Sequence, residues 1–179
     1  NEDKDSYLDH YQVNRNVYGA LLAWDATPKL TATLGWSMQD NRARGNNWGA
    51  LPLLYSDGTL VDYPRSASTS ADWTHWNVRD QTAFAELAWR FDNGWRLKTI
   101  GTFKRFEENA KLLYAYGAPD KTTGLGVLGM AGVYPSIYEN YILDAYASGP
   151  FRLLGREHQL VIGGQTSRSH GHEYEDFSQ

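Results

Sequence analysis

The stretch YGALLAWDATPKLTATLGWSM, residues 18–38, decides the fold. In its second half Leu30, Ala32, Leu34, Trp36 and Met38 alternate with Thr31, Thr33, Gly35 and Ser37, the two-residue period of a pleated strand. One face is apolar and the other carries small polar groups. The first half reads as a partner strand, and the connection Asp25-Ala26-Thr27-Pro28-Lys29 is short. Both runs reach about ten residues, the roughly 9–11 that a tilted strand needs to cross a bilayer.

Working outward, the same pattern predicts about six antiparallel strands and no long helix. The first spans roughly Val13 to Trp24 and the second Leu30 to Gln39, with Trp24 facing Leu30 and Ala20 facing Leu34 across a five-residue turn. A third runs near Thr82 to Phe91, with Ala83, Ala85, Leu87, Trp89 and Phe91 on one face. Asp92-Asn93-Gly94 is a hairpin signal, because Gly94 can take the left-handed conformation that ends a three-residue loop. The fourth strand is then Trp95 to Phe106, with Trp89 opposite Leu97 and Glu86 diagonal to Lys98. A fifth near Asn140 to Ser148 and a sixth near Gln159 to Ser167 are joined through Pro150, Leu154 and Gly155.

Long connections are expected over residues 40–79 and 107–139. Both are rich in aromatic and apolar residues, so they should fold rather than stay disordered. Trp24, Trp89, Phe91 and Trp95 lie beside the short turns on the apolar face, where an aromatic girdle at one membrane interface would fall. Short turns at one end and long loops at the other are the asymmetry of outer-membrane barrels. Asn14 and Asn16 share the parity of Tyr18, so an upper belt is poorly marked.

Composition narrows the function. The 179 residues carry 17 Lys and Arg against 21 Asp and Glu, a net charge of -4 with no basic cluster, which argues against a nucleic-acid partner. Mean hydropathy is -0.58 and no run of eighteen apolar residues occurs, which excludes a helical membrane span but not a barrel. The absence of cysteine removes disulfides, thiol nucleophiles and Cys-based metal sites. The opening Asn-Glu-Asp-Lys-Asp has no secretory leader and resembles a loop tip, so an internal piece of a longer protein is expected.

No catalytic constellation is visible. Glu107 and Glu108 are adjacent and point to opposite sides of a strand. Ser169-His170 lacks an orienting carboxylate, and Gly124, Gly126, Gly129 and Gly132 follow no strand-to-helix phosphate pattern. His170-Gly171-His172-Glu173 offers metal-ligating groups in a spacing that fits no closed site, and is read as a solvated loop after the last strand. No directly bound metal or cofactor is expected.

In the first long connection the chain resembles the TonB-dependent ferric-siderophore receptors of the bacterial outer membrane. The residues are Asn47-Trp48-Gly49-Ala50-Leu51-Pro52-Leu53, then Tyr55-Ser56-Asp57-Gly58-Thr59, Pro64-Arg65-Ser66 and Asp72-Trp73, in that order. Tyr18-Gly19-Ala20, Ala26-Thr27-Pro28 and Phe91-Asp92-Asn93-Gly94-Trp95 add to it. The resemblance implies a plugged barrel of about 22 strands importing an iron-loaded siderophore with energy passed through TonB. Neither plug nor TonB-contacting box is present in these residues. Residues 1–179 would then be part of one β-barrel domain, roughly a quarter of its wall, and TonB would be reached only through a plug outside them.

The resemblance gives Trp48 and Trp73 a part in holding the siderophore, as flat aromatics suited to a flat chelate. Tyr114 and Tyr116 are added from their position above the fourth strand, and Arg65 as a guanidinium able to fork onto a negatively charged ferric complex. Thr31, Thr33, Glu86, Arg90, Arg96, Lys98, Lys104, Asp144 and Gln159 form the polar inner wall. Two alternatives share the alternation: a passive porin-type channel, and a soluble β-sandwich carbohydrate-binding module whose second layer would cover the apolar face.

Overall fold

A computed structural model describes residues 2–177. The chain forms β1 (Glu2–Asp5), β2 (Gln12–Thr27), β3 (Leu30–Arg44), β4 (His75–Arg90), β5 (Arg96–Gly117), β6 (Val127–Leu153) and β7 (Arg156–Glu173). They pair in chain order as one antiparallel up-and-down sheet. The first residues are thus a short strand on the upper part of β2, not a loop tip.

The parity of every predicted strand holds. Leu22, Leu34, Ala85, Gly101 and Leu143 lie in one cross-strand row, and Trp24, Ala32, Leu87, Thr99 and Ala145 in the next row of the same face. The opposite face carries Thr33, Glu86, Lys98, Lys104 and Asp144, with Lys98 Nζ 2.8 Å from Glu86 Oε2 on the expected diagonal. Nothing among the described residues covers the apolar face, where Trp24 is 64% and Leu34 56% exposed. Burying such side chains away from water is worth about 1.5–3 kcal/mol each, so this face needs an apolar environment. A soluble two-layer sandwich is not what these residues build.

The first hairpin differs in register. Leu22 faces Leu34 and Trp24 faces Ala32, two residues from the expected pairing. The strands run on to Thr27 and Leu30, with a bulge between Asp25 and Thr27 and only Pro28-Lys29 in the turn. Thr27 Oγ1 accepts from the backbone N–H of Lys29 and of Leu30, which closes this tighter turn. A slip of two leaves every side chain on its predicted face. The second hairpin matches, with Gly94 at φ 85° and Trp89 opposite Leu97. The third turn is Leu154-Gly155 alone, and Pro150 belongs to β6 opposite Gln159. Pro150 lies past Ser148, where the β5 pairing ends, so its missing N–H breaks no bond there.

The largest departure concerns the long connections. The first shrinks to residues 45–74 and the second to 118–126, because β3, β4, β5 and β6 continue well past the apolar rows. Above those rows both faces carry polar and aromatic groups, so hydrophobic alternation fades although backbone pairing does not. The His170–Glu173 tract likewise lies within β7, with His170 opposite Glu139. Several aromatic rings fill space over glycines on the neighbouring strand, such as Phe84 over Gly35 and Tyr138 over Gly171, where a Cβ would collide with the ring. This pairing compensates for glycine's lack of packing in a strand.

Candidate functional site

The polar face ends, above β4 to β6, in an aromatic and acidic cluster. Even-numbered residues of β5 and β6 continue the parity of Lys98 and Asp144 upward through Phe106, Tyr138, Tyr134, Tyr114 and Tyr116. Loop 45–74 lays Trp48 across this row through a bridge to Tyr114. The Trp48 ring meets Tyr114 edge-on at 5.5 Å and Tyr134 at 5.0 Å, while Tyr114 stacks towards Tyr116 at 6.3 Å. These separations are those of favourable aromatic pairs. Gly49, at φ 83°, lets the loop backbone lie against the Tyr114 ring, since a Cβ there would stand 2.5 Å from it.

Beside Trp48 a pocket of 210 Å³ is lined by Trp76, Glu108, Leu112, Tyr134, Glu173 and Glu175 among others. Trp76 Nε1 donates to Glu108 Oε2 at 2.8 Å, and Tyr138 Oη donates to Glu173. Burial, and after it the Glu175 carboxylate, pushes the Tyr134 phenol above its ordinary value, so it is a neutral donor near pH 7. Its hydroxyl has no partner among the described residues. The pocket can therefore stack a planar group and offer carboxylates and a phenol at its edge.

Of the sequence candidates, Trp48, Tyr114 and Tyr116 come together here. Trp73 does not: its ring sits on the opposite, apolar-face side, 5.5 Å from Lys111 Nζ. Arg65 is also elsewhere, its guanidinium 4.8 Å over Tyr7 of the β1–β2 connection. Asp9 N–H donates to Ser66 O at 2.8 Å in the same place, so Arg65 ties its loop to that hairpin. Sequence reading passed over Trp76, Tyr134 and Tyr138 as site residues. The signal for them was parity, carried upward from Lys98 and Asp144 once the strands are allowed to continue.

Trp24, Trp89, Phe91 and Trp95 lie at the short-turn end on the apolar side, with Trp89 and Phe91 stacked at 5.6 Å and Trp95 packed over Gly149. Among the described residues no three of His, Cys, Asp and Glu converge as metal ligands.

No protein-family model matches the chain. The ferripyoverdine receptor of Pseudomonas aeruginosa is 37% identical over 173 residues, 94% of this chain and 21% of that protein. The ferric-pyoverdine M114 receptor of Pseudomonas sp. strain M114 is 31% identical over 159 residues, 88% of this chain and 19% of that protein. The chain thus spans about a fifth of the length of these curated relatives. The crystal structure of the Pseudomonas aeruginosa outer-membrane ferripyoverdine receptor bound to ferripyoverdine superposes with a TM-score of 0.92 at 34% identity, over 98% of this chain and 23% of that one. The relatives are named as receptors, and they lend no support to a porin or a carbohydrate-binding module. The ordered loop motifs, the single lipid-ready sheet and these relatives together place the chain in the TonB-dependent ferric-siderophore receptors of the bacterial outer membrane, as a segment of their β-barrel wall.

Proposed function

We propose that this chain supplies wall strands and extracellular loops to one β-barrel domain that binds a ferric siderophore of the pyoverdine kind and imports it, with energy from a TonB complex acting through a plug outside these residues. The observation that carries the reading is the cluster of Trp48, Tyr114, Tyr116 and Tyr134 at the upper end of the polar face. A planar chromophore buries area on such rings at little entropic cost, because each ring has few rotatable bonds. The pocket of 210 Å³ falls below the roughly 300–1,000 Å³ of complete ligand sites, so this wall provides one side of the site. Iron would keep its chelate ligands and need none from the protein.

Trp73 and Arg65 fit a supporting role better than ligand contact, since each is engaged away from the cluster. The four aromatics at the short-turn end would form the periplasmic girdle against outer-membrane lipid. Tryptophan fluorescence of the intact receptor, titrated with ferripyoverdine, tests the assignment. Saturable quenching is expected, and Trp48→Ala should weaken binding by about 2 kcal/mol, roughly thirtyfold. Unchanged affinity in Trp48→Ala would remove the cluster from the site.

A further inference from the structure

The pocket beside Trp48 has two kinds of wall. Trp48, Trp76 and Tyr134 supply aromatic rings, while Glu108, Glu173 and Glu175 supply three carboxylates. Among the described residues the lining holds no lysine, arginine or histidine. The sheet itself brings these acids together. Glu108, Ser136 and Glu173 are successive partners in one cross-strand row of β5, β6 and β7, and Trp76, Ala110 and Tyr134 form the row above on the same face. Past the end of β7 the chain keeps to β6. Tyr174 N–H donates to Pro135 O at 3.1 Å, and Val133 and Asp176 exchange backbone bonds at 2.9 and 3.1 Å. The register is unchanged, so Glu175 falls opposite Tyr134, on the face of Glu173.

Nothing nearby offsets this charge. Trp76 Nε1 donates to Glu108 and Tyr138 Oη to Glu173, but both donors are neutral. Asp80, opposite Phe106 in the row below, adds another acid. Among the strand residues of this face the closest cations stand well away. Lys104 lies four residues below Glu108 on β5, about 13 Å at roughly 3.3 Å per residue. Arg15 shares the row of Glu108 but lies three strands off, through Asn41 and Val78, about 14 Å at roughly 4.8 Å per strand. The Tyr134 hydroxyl, withdrawn from solvent and without a partner among the described residues, is a further group left for a ligand.

The acids surround a space and do not meet at a point, since no three metal-ligating side chains converge among the described residues. A ring-walled space with an anionic rim suits an organic cation, whose charge is drawn to aromatic rings and whose N–H groups pair with carboxylates. Its 210 Å³ is too small for a whole chelate and is scaled to one side chain. We propose that this pocket is a charge-selecting subsite, which takes an ammonium or guanidinium group that the ferric siderophore carries outside its chelate. The inference rests on the receptor reading above and adds a selection rule to it. Siderophores with a cationic arm are accepted ahead of those whose arm is neutral or anionic.

The test uses the intact receptor that carries this chain, with affinity read by tryptophan fluorescence. The probes are a ferripyoverdine bearing a free amino group outside the chelate and the same compound after N-acetylation, which differ by one positive charge. Wild type should bind the amine at least about tenfold more tightly, the worth of one charge-assisted contact. Glu108→Gln combined with Glu175→Gln should abolish that preference by weakening the amine alone, with the acetylated compound held at its wild-type affinity. Glu108→Gln keeps an amide oxygen for Trp76 Nε1, and Glu175 makes no side-chain hydrogen bond among the described residues. Should the double variant fail to fold, Glu175→Gln alone carries the test, and it should cut the preference by about threefold, as for a solvent-screened pair. Equal affinity of wild type for the two compounds, or an equal loss of both in the variants, would overturn the proposal and leave the receptor reading in place. Failure of wild type to bind either compound would overturn the receptor reading, and the proposal with it.

Discussion

Gly49 shows how much one position without a side chain decides. Its left-handed backbone and its contact with the Tyr114 ring bring Trp48 into the aromatic cluster. Gly49→Ala adds a methyl group where φ is 83° and the ring stands 2.5 Å away, so either the loop or Tyr114 must move. We expect this substitution, which removes no aromatic group, to weaken ferripyoverdine binding by about 1–3 kcal/mol, the size of one strained backbone position. Titrating the intact variant by fluorescence checks it. At this scale the sequence was only partly readable. Trp48, Tyr114 and Tyr116 come together in the fold, whereas Trp73 lies over to the Lys111 side and Arg65 is engaged by Tyr7. The loop motif names its residues but not the direction each side chain takes, because that direction is set by loop contacts with distant hairpins.

At the level of elements, β5 and β6 form a hairpin that rises far above the apolar rows and ends in the tip 118–126. Asp120 organises that tip by accepting from the backbone N–H groups of Thr123 and Thr122 at 2.8 and 3.0 Å and from Thr123 Oγ1 at 2.9 Å. Those bonds, the Thr123 backbone bond foremost, hold its carboxyl below the ordinary carboxylate range. A lowered value means the tip gains its full order from Asp120 above the unfolded pKa, about 3.9, and loses it as pH falls through the lower folded value. Hydrogen exchange at Thr122 and Thr123 should therefore show protection that is constant from neutral pH down to about 4 and drops below it, after correction for intrinsic exchange. Asp120→Asn should show no such acid transition. The tip also anchors the neighbouring loop, since Ser56 N–H donates to Pro119 O at 2.9 Å and Lys121 Nζ lies 5.7 Å over Tyr55. Sequence patterning recovered the membrane-level part of each strand and the Asp92-Asn93-Gly94 turn. It missed the extensions because alternation reports one-sided burial, and above the bilayer neither face is one-sidedly buried.

At the scale of the whole molecule, the decisive fact is that a single sheet leaves one apolar face without a second layer among the described residues. In the intact receptor, Leu34→Arg on that face should cost about 2–4 kcal/mol, and Thr33→Arg on the polar face much less. Urea unfolding in liposomes would measure the difference. Overall architecture was more legible than the site, because a two-residue period survives any even slip of register: Leu22 found Leu34 and not Ala32, yet stayed on its face.

The most direct measurement is single-cysteine spin labelling, to which residues 1–179 contribute no competing cysteine. Labels placed one at a time from Leu30 to Met38 in the intact receptor, reconstituted in liposomes, report oxygen accessibility from the bilayer. High oxygen accessibility is expected at positions 30, 32, 34, 36 and 38 and low values at 31, 33, 35 and 37. Equal accessibility along the run, or shielding of the even-numbered positions, would contradict it.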